Sequence, residues 1–105
     1  MEKADKRYTV IISDKATEML VSHTRFLTNV SNEGAEKLIE DFTVSAKSLE
    51  SIPERNPLLS DPSIPSNRYR KLLFGKRYLM VYQIKNSHVY VDYIVDCRQD
   101  YQWLL

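Results

Sequence analysis

Arg70, Arg98, Asp100 and Tyr101 are residues of types that can carry a charge or move a proton, and all four lie in the last third of the chain. Acid-base work needs a group that can take or give a proton, and a charged substrate needs a group of opposite sign to hold it. Arginine supplies the cation, and tyrosine or a carboxyl group can move the proton. Between Ser66 and Tyr78 stand Arg68, Arg70, Lys71, Lys76 and Arg77 with no acid among them. A local excess of this kind attracts polyanions, so Arg68, Lys71, Lys76 and Arg77 are candidate nucleic-acid contacts. The region from Asn32 to Glu54 is opposite in sign, with Glu33, Glu36, Glu40, Asp41, Glu50 and Glu54 against Lys37 and Lys47.

Three strand-like runs must position these groups: Arg68 to Phe74, Arg77 to Lys85 and His88 to Asp96. Each is rich in the β-branched and aromatic residues that suit a pleated surface. Only Gly75-Lys76 and Asn86-Ser87 separate them, and two-residue links are the commonest hairpin connections. A three-stranded meander is predicted. In its last run Val89, Val91, Tyr93 and Val95 alternate with Tyr90, Asp92, Ile94 and Asp96. A period of two makes one face apolar and the other mixed, with Asp92 and Asp96 on the same side.

Upstream, Tyr8 to Ile12 reads as a first strand that stops at the capping pair Ser13-Asp14. Ala16, Met19, Leu20, His23, Phe26, Leu27 and Val30 then recur at helical spacing. Ser31-Asn32 gives a second cap signal, and Ala35, Leu38, Ile39, Phe42, Ala46, Leu49 and Ile52 form a second stripe that Pro53 ends. So short a link makes the two helices an antiparallel hairpin. Asn56 to Asn67, with three prolines, is a loop. The expected fold is α+β in the order β-α-α-β-β-β. The helical hairpin packs on one face of a small antiparallel sheet and leaves the other face as a shallow concavity.

At 105 residues the whole chain, 1–105, is expected to be one domain. Its 15 Lys and Arg nearly balance 14 Asp and Glu, so only the local basic stretch argues for a polyanion. The single cysteine, Cys97, excludes an internal disulfide and makes no metal site by itself. Neither an apolar leader nor a run of membrane-spanning length is present in the sequence given. These features predict a cytoplasmic protein with no membrane contact, metal or cofactor.

The order of elements and the ending together resemble the RelE/ParE superfamily of toxins from bacterial type II toxin-antitoxin, or plasmid stabilization, modules. The resemblance runs from Tyr8 to Leu105. It is carried by Tyr8-Thr9-Val10-Ile11-Ile12-Ser13, Pro53, Tyr69-Arg70, Tyr78-Leu79-Met80-Val81-Tyr82-Gln83-Ile84 and Cys97-Arg98-Gln99-Asp100-Tyr101. It implies a cognate antitoxin whose extended or partly helical segment wraps the toxin and folds on binding. RelE-like and YoeB-like members are endoribonucleases that cleave messenger RNA in the ribosomal A site. ParE-like members inhibit DNA gyrase without being enzymes. A third possibility is a toxin fold without toxicity that only binds an antitoxin.

Matched to the nuclease branch, Arg70 falls where those members place a basic strand residue, and Arg98 with Tyr101 matches their C-terminal arginine and tyrosine. Two positions depart from that branch. Leu79 stands where the nucleases carry an arginine, and Asp100 stands where YoeB-like chains carry a histidine. An aspartate of ordinary pKa, about 4, accepts a proton at neutral pH but hardly donates one. Structural roles compete for the same residues. Arg70 and Arg98 can pair with Asp92, Asp96 or Asp100 across strands, and Asp100 can cap a last helical turn from Tyr101 to Leu105. Lys76-Arg77 can be a solvated turn. His23 reads as a core or boundary residue, and Cys97 as a small buried side chain.

Overall fold

The computed structural model describes residues 7–60 and 67–97. It contains β1 (Thr9–Ile12), α1 (Asp14–Thr28), α2 (Asn32–Ser48), a 3-10 turn at Pro53–Arg55, β2 (Arg70–Phe74), β3 (Tyr78–Lys85) and β4 (His88–Asp96). The expected order is present. The strands lie in the order β1-β4-β3-β2, with β1 parallel to β4 and the other pairs antiparallel. The sheet is therefore mixed rather than wholly antiparallel. Two tight hairpins make β2 and β4 run the same way, and β1 joins beside β4 through the long helical crossover that a parallel pair requires.

Ser13 and Ser31 start the two helices, their hydroxyls accepting from the Ala16 amide at 3.0 Å and the Gly34 amide at 3.1 Å. Ala16 and Leu20 of α1 and Leu38 of α2 are buried against Phe74, Tyr78, Met80, Tyr82, Val89, Val91 and Ile94 of the sheet. Full burial of a side chain such as Leu38 contributes about 2 kcal/mol. The second stripe was expected to run to Pro53, yet α2 ends at Ser48 with Leu49 as its cap. Ile52 takes a left-handed conformation, φ 49°, and is exposed, while Pro53 opens the 3-10 turn. The residue before a proline is disfavoured in the helical region, so the chain turns out before the proline.

A β-bulge corrects the alternation expected for the last strand. Val81 pairs with Tyr93 and Tyr82 with Val91, so Asp92 is the extra residue. Val89, Val91 and Ile94 consequently share the helix-covered side, while Tyr93 and Val95 turn to the other. Asp92 and Asp96 are thereby separated. The Asp92 carboxylate accepts from Gln83 Nε2 at 2.6 Å on the face away from the helices. Asp96 is buried, on the parity of Ile94 and level with Tyr78.

The face opposite the helices is not left as an open concavity throughout. Leu79, Val81 and Val95, at 8%, 1% and 0% exposure, form a second core with Leu59, flanked by Tyr69 and Tyr93. Leu59 arrives there because the expected loop begins as an added edge segment. The Lys71 amide donates to the Pro57 carbonyl at 3.0 Å, the Leu59 amide donates to the Tyr69 carbonyl at 2.8 Å, and Leu58 bridges to Arg70. One edge of the sheet is thus closed by the chain itself.

Candidate functional site

Arg70 opens β2 opposite Tyr82, on the same side as Leu72 and Phe74. That is the helix-bearing side of the sheet, not the face expected to stay open as a concavity. One guanidinium nitrogen donates to the Glu54 carbonyl at 3.0 Å and to the Asn56 carbonyl at 2.7 Å. The Tyr82 hydroxyl, fully buried, donates to the Pro53 carbonyl at 2.7 Å and accepts from Asn56 Nδ2 at 2.9 Å. The Tyr8 hydroxyl donates to the Glu54 carboxylate. Together these bonds strap the turn after α2 to the end of the sheet. The competing structural role expected for Arg70 is thus realised with backbone carbonyls rather than with Asp92 or Asp96.

The phenols feel this setting. The hydrogen bond to Glu54 raises the Tyr8 pKa first, followed by burial and the Glu54 charge. Burial holds the Tyr82 hydroxyl above its usual range. Burial does the same to Tyr69, with the Asp92 charge next in importance. Among the three, Tyr69 is the one beside the second core.

The basic stretch is divided between the two ends of β2. Arg68 and Lys71 lie near its start, Lys76 and Arg77 in the turn after it, roughly 17 Å apart along five strand residues. Arg68 and Lys76 are exposed, and Lys71 is half-buried next to Val81. Gly75 and Lys76 both take left-handed conformations, φ 57° and 73°, which lets β3 return after a turn of three residues rather than two. Arg77 is half-buried with its guanidinium over the Tyr78 ring at 5.8 Å, and its carbonyl accepts from the Cys97 amide at 2.7 Å.

Cys97 itself is exposed, contrary to the buried role expected of it, because β4 ends at Asp96 and its last pairing partner is Tyr78. Arg98, Asp100 and Tyr101 fall outside the described residues. His23 is a boundary residue as expected, its Nε2 2.9 Å from the Ile94 carbonyl and its ring 5.3 Å from Tyr78. His88 stacks on Tyr90 with ring centroids 6.0 Å apart.

Sequence reasoning missed Tyr82, Asn56 and Glu54 as a polar hub, and Asp92 as a bulge. Tyr82 read as one more aromatic in a strand. Its signal was Pro53 after the second stripe, since a turn with no strand partners needs side chains to satisfy its carbonyls. No group of three or more His, Cys, Asp or Glu among the described residues is placed to hold a metal ion. Among the same residues no helix is long and apolar enough to cross a membrane.

Two amphipathic helices laid across a β1-β4-β3-β2 mixed sheet make a fold that a solved structure shares and that agrees with the one the resemblance implies. A solved structure described as the chromosomal ParDE TA system from P. aeruginosa contains a chain that matches with a TM-score of 0.70 at 15% identity, over 87% of this chain and 97% of that one. No protein-family model matches the sequence, and a search of curated proteins found no relative.

Proposed function

We propose that this protein is the toxin of a bacterial toxin-antitoxin pair, held inactive in the cytoplasm by a cognate antitoxin, and that it acts by binding its target rather than by cutting RNA. The fold shared with a chain of a ParDE system supports the first part. The observation that carries the second is the placing of Arg70, the one catalytic candidate among the described residues, away from the face that bears Leu79. The Arg70 guanidinium is committed to carbonyls on the helix side. On the opposite face Leu79 is buried where the nuclease branch has an arginine, and the Asp92 carboxylate adds negative charge there. There the Asp92 carboxylate offsets the Lys71 cation beside Val81, so a phosphodiester gains no net clamp from the two. The ParE-like mode, with DNA gyrase as the target, is the reading this supports.

A second reading, ribosome-dependent messenger-RNA cleavage by Arg70, Arg98 and Tyr101, is favoured by the ending Cys97-Arg98-Gln99-Asp100-Tyr101. Inducing the protein without its antitoxin, with primer extension on transcripts and a supercoiling assay on purified gyrase, separates the two. Growth arrest with intact transcripts and inhibited supercoiling is the expected result. Cut transcripts with unaffected supercoiling would establish the nuclease instead. Harmless expression would leave only an antitoxin-binding fold.

A further inference from the structure

The turn between β2 and β3 leans on the N-terminal half of α2, and between them lies a cleft of about 350 Å³. Its apolar wall includes buried Leu38 and half-buried Leu27, and Gly34 leaves room above them. Lys37, Lys76 and Arg77 bring three cations to it, against the one acid Asp41. That acid is already met by Lys37, 2.6 Å from its carboxylate. Lys76 and Arg77 form no salt bridge among the described residues, and Lys76 is exposed.

We propose that this cleft is where an acidic, apolar peptide segment of the antitoxin docks, a large aliphatic or aromatic side chain entering against Leu27 and Leu38 while a flanking carboxylate meets Lys76 and Arg77. The volume suits one or two side chains, at the small end of ligand pockets, which run from about 300 to 1,000 Å³. Charge complementarity selects the occupant: with Asp41 met by Lys37, Lys76 and Arg77 leave the lining of the cleft with an excess of positive charge. The apolar wall favours a peptide over a nucleic acid, whose phosphates would not fill the apolar space. The proposal rests on the toxin-antitoxin reading.

Two variants test it in different ways. Lys76→Glu reverses an exposed charge. Gly34→Leu fills the cleft without changing charge, since a Cβ at Gly34 meets only Ser31, at 3.5 and 3.6 Å, which is ordinary contact. Titration calorimetry of the purified chain against the protein encoded by the adjoining reading frame is the measurement, with thermal melting of each free variant as the control for folding. Each variant is expected to weaken binding by about tenfold or more while melting as the parent does. Binding as tight as the parent's in both variants would overturn the docking site and leave the toxin-antitoxin reading standing. No binding by the parent would overturn that reading itself. Loss of RNA binding with unchanged affinity for the adjoining protein would assign the cleft to nucleic acid and overturn the proposal.

Discussion

Tyr82 and Arg70 hold the turn at Pro53–Arg55 from two sides, and the two bonds differ in what their loss leaves behind. Tyr82→Phe removes the hydroxyl that satisfies the Pro53 carbonyl in a fully buried setting, so urea unfolding should report a loss of about 1–3 kcal/mol. Arg70→Ala removes two charge-assisted bonds from a half-buried site, and a loss of about 2 kcal/mol is expected. A catalytic Arg70 would instead give a variant as stable as the parent that has lost its toxicity. Leu79→Arg is the reciprocal experiment. It restores the nuclease-branch residue, but places its charge among Leu59, Val81 and Val95. Denaturant unfolding should show a loss of several kcal/mol, and primer extension should show no gain of cleavage.

Each helix starts at a capping serine. Ser13→Ala and Ser31→Ala each remove an acceptor from an amide of the first turn and should each cost about 1 kcal/mol. The caps belong to separate helices and share no partner, so the double variant should show the sum. Ser13 also donates to the Asp92 carbonyl at 3.3 Å. Its loss therefore touches the bulge as well, and Ser13→Ala should be the costlier of the two in thermal melts. The bulge is the more consequential element. One extra residue at Asp92 re-aims everything after it, which is why Ile94 joins the helix-side core and Val95 the second one.

The molecule as a whole carries phenols whose pKa values are raised in the folded state: Tyr8 by its bond to Glu54, Tyr69 and Tyr82 by burial. A raised phenol favours the folded state's protonated form. The stability it contributes is fully present below the unfolded value of about 10 and is lost as pH rises through the folded value. Urea midpoints should therefore be flat in these groups' contribution from pH 7 to 9 and fall above about pH 10. Tyr82→Phe should make that alkaline fall shallower, which separates its ionisation from other causes of alkaline unfolding.

The element order, both serine caps, the helical hairpin and β4 from His88 to Asp96 were readable from the chain, because capping and periodicity are local and need only near neighbours in sequence. The resemblance to RelE/ParE toxins likewise came from local runs in a fixed order, and the fold agrees with it. Tertiary structure alone decided which face each charge occupies. A period-two reading carries parity along a strand without error only if no residue is inserted, and the bulge at Asp92 depends on pairing with β3, which is invisible along β4 itself. Arg70 is a strap on the helix side for a similar reason: its partners at Glu54 and Asn56 lie 16 and 14 residues away and are brought near only by the turn at Pro53 and the pairing of β2 with β3. Sequence determined what this protein is built from and its fold, and long-range pairing decided which of its cations remained available for function.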